Sequence, residues 1–137
     1  MSEEPEYITR KYRIDKQLTG LGWDIIPYST SIDFAVLKQT AVEEYPTKSG
    51  PADYALFVMG KLLGILEAKK VSVDAQNVLE QAKRYASGLP DTIGRWNNFT
   101  VPFLYSSNGT SIWFADVRDE QYYSRELMAF HTPEAIE

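Results

Sequence analysis

The clearest pattern in the chain is "ADYALFVMGKLLGILEA", residues 52–68, two apolar runs of strand length separated by Met59, Gly60 and Lys61. Successive side chains of a strand point to opposite faces. Asp53, Ala55 and Phe57 therefore form one row, and Tyr54, Leu56 and Val58 the other. In the second run Leu63, Ile65, Glu67 and Lys69 share a face, and Leu62, Gly64, Leu66 and Ala68 share the other. Both strands are apolar on both faces, the mark of strands inside a covered sheet. If the hairpin turns on Met59, Gly60 and Lys61, Asp53 lies directly opposite Glu67 on one face, and a slip of one residue would separate them.

The remaining pattern predicts helix, strands, helix, strands. Tyr7, Ile14, Leu18 and Leu21 recur at helical spacing, which predicts a first helix over residues 4–19 ended by the glycines of "GLGW". "WDIIPY" and "SIDFAVL" are short β-branched and aromatic runs, and the following "KQTAVEEYPTKSGP" is polar and turn-rich, so this segment predicts one or two strands and a loop. A second helix is expected from about Ala75 to Ser87, with Ser72 or Asp74 as its cap and Gly88-Leu89-Pro90 as its stop. "VPFLYSSNGTSIWFADV" predicts two strands around Asn108-Gly109, a hairpin turn signal. The last residues, "DEQYYSRELMAFHTPEAIE", predict the start of a further element.

Composition narrows the class. A chain of 137 residues with 44% hydrophobic content suits one globular domain, residues 1–137. With no cysteine, disulfides and thiolate metal sites are excluded, and a reducing cytoplasmic setting is expected. "MSEEPEYITR" is acidic where a secretory leader is basic and then apolar, and no apolar run has the length of a membrane span. A formal charge of −5 argues against a domain that grips nucleic acid by electrostatics alone, because phosphate neutralisation needs clustered Lys and Arg.

The charges in the hairpin carry the chemistry. Two carboxylates facing each other inside a sheet repel, and burying them is costly unless a cation neutralises them. Oxygen donors without histidine or cysteine suit Mg²⁺ or Mn²⁺, which retain waters and take one or two protein carboxylates plus substrate phosphate. Lys69, two residues beyond Glu67 on the same row, is placed to orient or deprotonate an attacking water and to stabilise charge on phosphorus. The competing reading is a strand-end salt bridge between Glu67 and Lys69. An aspartate at the matching position of the paired strand favours the metal site.

Pro51 and Asp53 with Glu67-Ala68-Lys69 resemble the P-x-D and E-x-K motifs of the PD-(D/E)xK nuclease core. "ITRKYRIDKQLTGLGWD", "ADYALFVMGKLLGILEAKK", "QAKRYASGLP", "VPFLYSSNGTSIWFAD" and "FHTPEAI", in that order, resemble the N-terminal endonuclease domain of the R subunit of type I restriction enzymes. The resemblance implies a single α/β domain in which helices flank a central mixed sheet. It implies Mg²⁺-dependent (or Mn²⁺-dependent) hydrolysis of double-stranded DNA, with Asp53, Glu67 and the Ala68 carbonyl as metal ligands and Lys69 as the catalytic lysine. Gln81 and Tyr85 match the Q-x-x-x-Y motif of related nucleases and imply support of the site or contact with the DNA backbone. Their i, i+4 spacing puts both on one helical face. Related nucleases often add an acid from the first helix, for which Glu6 and Asp15 are both candidates.

Other polar residues add less. Lys70, Lys83 and Arg84 are the nearest basic residues, the latter two on a helix face that suits solvent, and Asn108 reads as a turn residue. His131 is the single histidine, which excludes mechanisms needing a histidine pair. No ATP-binding G-x-x-x-x-G-K-[ST] is present, whereas motor domains follow the nuclease in the R subunit, so ATP use is expected only of domains outside this sequence. The expected partners are DNA and the methylation and specificity subunits, with no membrane. Two rival readings remain: a docking module that retains the nuclease fold without catalysis, and a free-standing repair or junction nuclease.

Overall fold

The computed structural model describes residues 13–47, 50–68, 102–109, 111–116 and 125–136. Helix α1, Asp15–Gly20, leads into strands β1, Asp24–Pro27, and β2, Gln39–Thr47. The hairpin strands are β3, Gly50–Val58, and β4, Lys61–Ala68, followed by β5, Phe103–Ser107, β6, Ile112–Asp116, and β7, Arg125–Leu127. A short helix α2, Pro133–Ile136, comes last. The seven strands form one mixed sheet in chain order, with β1 parallel to β2, β4 parallel to β5, and the other neighbours antiparallel. This is the expected single α/β domain built on a central mixed sheet with helices packed against it.

Helix α1 ends as its glycines predict. Gly22 adopts φ +101°, its N–H donates to the Thr19 carbonyl at 3.2 Å, and the Trp23 N–H donates to the Leu18 carbonyl at 3.1 Å. This paired closure satisfies carbonyls that the helix end would otherwise orphan, and it requires a left-handed residue that glycine supplies without strain. The helix predicted over 4–19 is described only in its last turns, and the helix predicted over Ala75–Ser87 lies outside the described residues.

Two expectations for the segment after β1 are corrected. "SIDFAVL" is not a strand: Phe34–Val36 forms a 3-10 turn, started by the Asp33 carboxylate, which accepts the Ala35 N–H at 3.1 Å. That local bond offers the backbone an alternative to a ladder. The polar, turn-rich stretch instead contains the nine-residue strand β2, paired with β3 along its length and with β1 over Thr40–Glu43. Ala41 and Val42 are fully buried there, so tertiary pairing overrides weak local propensity. Val42 and Tyr45 nevertheless pack in the same core layer. Residues three apart in a regular strand face opposite ways; Glu44 between them sits at φ +59°, which reverses the alternation.

The β3–β4 hairpin reaches the predicted register by a different route. Its turn is the two residues Met59 and Gly60, at φ +51° and +80°, where three had been expected. That alone would shift every pair by one residue. A bulge compensates: Phe57 pairs with Leu62, but Leu56 pairs with Gly64, leaving Leu63 as the extra residue. From Leu56 onward the pairing is the predicted one, ending at Tyr54 with Leu66. The bulge also corrects the predicted rows, since Leu62 packs in the same layer as Ile65 and Leu63 against the opposite one.

The sheet carries a core on each face. On one, Ile26, Val42, Ala55, Ile65, Leu104 and Ala115 fall in line across six strands. Tyr28, Phe34, Tyr45 and Phe57 form an aromatic cluster on this side, with Phe34 stacked on Phe57 at 5.0 Å. On the other, Ile14, just before α1, and Leu18 within it share a buried cluster with Tyr54, Leu66, Tyr105 and Phe114. The C-terminal segment is pinned here: the Trp23 indole N–H donates to the His131 carbonyl at 3.0 Å, and the Tyr105 hydroxyl meets His131 Nδ1 at 2.7 Å. The Asn108-Gly109 turn forms as predicted, with Gly109 at φ +89° and Asn108 Oδ1 accepting the Ser111 N–H at 2.9 Å. No helix among the described residues is long and apolar enough to cross a membrane.

Two measurements check this account. Met59 occupies a left-handed turn position that asparagine adopts far more readily. Met59→Asn is therefore expected to stabilise the protein by about 1 kcal/mol in urea unfolding, the usual scale for such backbone relief. His131 gives a pH signature. Burial, reinforced by the Arg125 charge, lowers its pKa below the ordinary 6.5. The unfolded chain thus takes up a proton that the folded one resists, so this contribution is intact above pH 6.5 and is lost as pH falls through the folded-state value. Melting temperature should drop between pH 7 and pH 5, and His131→Gln should flatten that drop.

Candidate active site

The last β3–β4 pair is Tyr54 with Leu66. Beyond it the strands take different neighbours: β3 continues beside β2, with Ala52 opposite Tyr45, and β4 continues beside β5, with Glu67 opposite Ser106 and Ala68 opposite Ser107. The two strands leave a fork with Asp53 on one prong and Glu67 on the other. Peptide groups in such a fork lose their ladder partners and must find others.

The two carboxylates supply them. Glu67 Oε1 accepts the Asp53 N–H at 3.2 Å, and Asp53 Oδ2 accepts the Ala68 N–H at 2.7 Å. Each acid is fixed by a main-chain donor on the opposite strand. Glu67 is 2% exposed and Asp53 half-buried. Asp53 and Glu67 thus stand on the two prongs of the fork, each accepting a main-chain N–H of the other strand.

The donor set is all carboxylate, with the Ala68 carbonyl next in the chain. Hard oxygen donors held in a fixed pair suit Mg²⁺ or Mn²⁺. Among the described residues no third histidine, cysteine, aspartate or glutamate completes a metal-binding group with them. Lys69, Gln81, Tyr85, Glu6, Lys70, Lys83 and Arg84 lie outside the described residues, so the expectations for them rest on the sequence.

Asp15, one of the two candidate helix acids, does not form such a group with Asp53 and Glu67. It opens α1 on the face that packs against Tyr54, and its Oδ1 accepts the Tyr54 hydroxyl. Tyr54 was not singled out by its pattern because it alternates like a core residue. The available signal was the phenol itself, since a buried tyrosine hydroxyl usually needs a partner. Ser106 was likewise missed: it is fully buried beside Glu67 in the ladder.

A family model described as the type I restriction enzyme EcoKI endonuclease subunit second domain matches residues 24–137. The chain belongs to this endonuclease-subunit family. It is 26% identical, over an alignment of 174 positions, to the type I restriction enzyme EcoKI endonuclease subunit of Escherichia coli strain K12. That alignment covers 92% of this chain and 15% of the relative. Its fold is like a solved fragment from Vibrio vulnificus YJ016, described as an HsdR subunit of a type I restriction enzyme, with a TM-score of 0.69 and 21% identity. There the likeness covers 99% of this chain and 25% of the fragment, so the chain spans a small part of both. The restriction-endonuclease-subunit family and its mixed-sheet fold thus agree with the resemblance drawn from the motifs.

Opposed carboxylates alone would suggest that removing Glu67 relieves repulsion and stabilises the metal-free protein. The Asp53 N–H bond reverses that for alanine. Glu67→Ala orphans a part-buried donor and is expected to cost about 1–3 kcal/mol in EDTA. Glu67→Gln keeps an acceptor, removes the charge and is expected to unfold at least as late as the parent. Chemical denaturation of the three proteins in EDTA compares them directly.

Proposed function

We propose that the chain is the Mg²⁺-dependent DNA-cleaving domain of a type I restriction enzyme. The observation that supports this most is the reciprocal fixing of Asp53 and Glu67 in the strand fork, in a chain whose family is defined on an endonuclease subunit. Asp53, Glu67 and the Ala68 carbonyl would hold the metal. When bound, it would supply Lewis-acid polarisation of the scissile phosphate and neutralise the paired carboxylates. Lys69, following in the E-x-K motif, would orient the attacking water and stabilise the negative charge that develops as one P–O ester bond is exchanged for a bond to the water oxygen. Gln81 and Tyr85 would contact the DNA backbone or steady the site.

The charge of −5 supports a division of labour. A domain this acidic has little electrostatic hold on a duplex, so the duplex would be held and moved by ATP-driven motor domains and by the methylation and specificity subunits. Sequence selectivity would lie there too.

The test uses an assembled restriction enzyme carrying this chain as its nuclease domain, with supercoiled plasmid as substrate and Mg²⁺, Mn²⁺ or EDTA in the buffer. Lys69→Ala should lower cleavage by at least about a hundredfold, the usual scale for losing one charge-stabilising group, while ATP-driven translocation continues. Asp53→Asn should abolish cleavage and also weaken Mn²⁺ binding to the isolated chain, which Lys69→Ala should spare. A Lys69→Ala enzyme that cuts at the parental rate ends the nuclease assignment. The docking-module reading predicts undiminished cleavage by both variants.

A further inference from the structure

Immediately behind the fork, the ladder runs Glu43, Tyr54, Leu66, Tyr105 and Phe114 across five strands. Tyr54 is the neighbour of Asp53 in β3 and is fully buried. Its side chain points to the face opposite the Ala55 and Ile65 layer, where α1 packs, and its hydroxyl donates to Asp15 at the first residue of that helix. Asp15 is half-buried. A bond between a phenol and a carboxylate belongs to the stronger, charge-assisted class. It ties the helix to the one residue of β3 that separates Asp53 from the regular part of the hairpin.

We infer that Asp15 is a positioning residue for the Asp53–Glu67 site, acting through Tyr54 instead of joining the acids that would bind metal. The inference rests on the metal-site reading above. In an unbroken ladder, Asp53 would be held by its β4 neighbour. At the fork its N–H donates to the Glu67 side chain and its carboxylate accepts the Ala68 N–H, so the position of the preceding rung bears on whether both bonds can form together. Tyr54 is in that rung, paired with Leu66, and Asp15 fixes it from below the sheet. A helix acid at this position can therefore serve the site from the opposite face. This accounts for an acidic residue on α1 beside a core layer while no third acid stands with Asp53 and Glu67 among the described residues.

The experiment measures Mn²⁺ affinity of the 137-residue chain by electron paramagnetic resonance, with thermal unfolding in EDTA on the same preparations. The variants are Asp15→Asn, Tyr54→Phe, the double variant, and Asp53→Asn as the ligand control. Positioning through one bond predicts that Asp15→Asn and Tyr54→Phe each weaken Mn²⁺ binding by about tenfold, as loss of an outer-shell partner does. The double variant should be no weaker than the worse single one, because either change removes the same bond. A direct ligand predicts a loss for Asp15→Asn with Tyr54→Phe unchanged, which overturns the inference. So does parental affinity in both single variants, additive losses in the double, or a loss that only follows a fall in the folded fraction. If the parent binds Mn²⁺ no more tightly than Asp53→Asn, the metal-site reading itself fails and the inference falls with it.

Discussion

The fork between β3 and β4 depends on one exchange of hydrogen bonds: each strand's carboxylate takes a peptide N–H of the other strand where the ladder ends. A sheet that simply split would leave those part-buried N–H groups without a protein acceptor, at a cost of up to a lost hydrogen bond each. A sheet that did not split would have no room for two acids at its centre. Asp53 and Glu67 solve both problems at once. The same bonds that close the backbone hold the acids side by side, so the charges inside the apolar hairpin are part of how it terminates.

Everything around the fork keeps it from relaxing. Two ladder rows inward, Ala55, Ile65 and Leu104 are fully buried. The row between these and the fork faces the other way and carries two buried phenols, Tyr54 and Tyr105, one bonded to Asp15 on α1 and the other to His131 in the C-terminal segment. Burial, with Asp116 adding to it, pushes the Tyr105 phenol far above its ordinary range, so it stays a neutral hydrogen-bonding group. The sheet is thus held by apolar packing on one side and by packing plus two directional polar bonds on the other.

The hairpin and its acids were legible in the sequence because period-two alternation fixes which residues share a face, and a charge in an apolar row is visible at once. The register came out as predicted although the turn was misassigned. The two-residue turn shifts pairing one way, the bulge at Leu63 shifts it back, and only the part beyond Leu56 matters for Asp53 and Glu67. Strand β2 was not legible, since "KQTAVEEYPT" becomes a strand only through pairing with β1 and β3, and its face reversal at Glu44 has no local signature. The partnership of Tyr54 with Asp15 spans 39 residues and depends on how α1 packs, which no spacing rule encodes. Lys69, Gln81 and Tyr85 are known here by motif alone.

A fixed pair of acids also bears on which cation would fit. Calcium accepts variable ligand numbers and long bonds, so it tolerates flexible side chains, whereas Mg²⁺ demands near-octahedral geometry, short bonds and retained waters. Free carboxylates on mobile loops would meet the second demand poorly, because each would have to be ordered when the ion arrives. In this fork one oxygen of each acid accepts a peptide N–H, which limits how far either carboxylate can turn, and in the proposed site the Ala68 carbonyl and water would complete the coordination. That is few protein ligands with little freedom, the combination that leaves room for a phosphate and disfavours ions that need to be wrapped. In the proposed site, a preference for a small, hard, partly hydrated cation would therefore follow from the way the β-ladder ends, independently of the E-x-K motif that first drew attention to the strand.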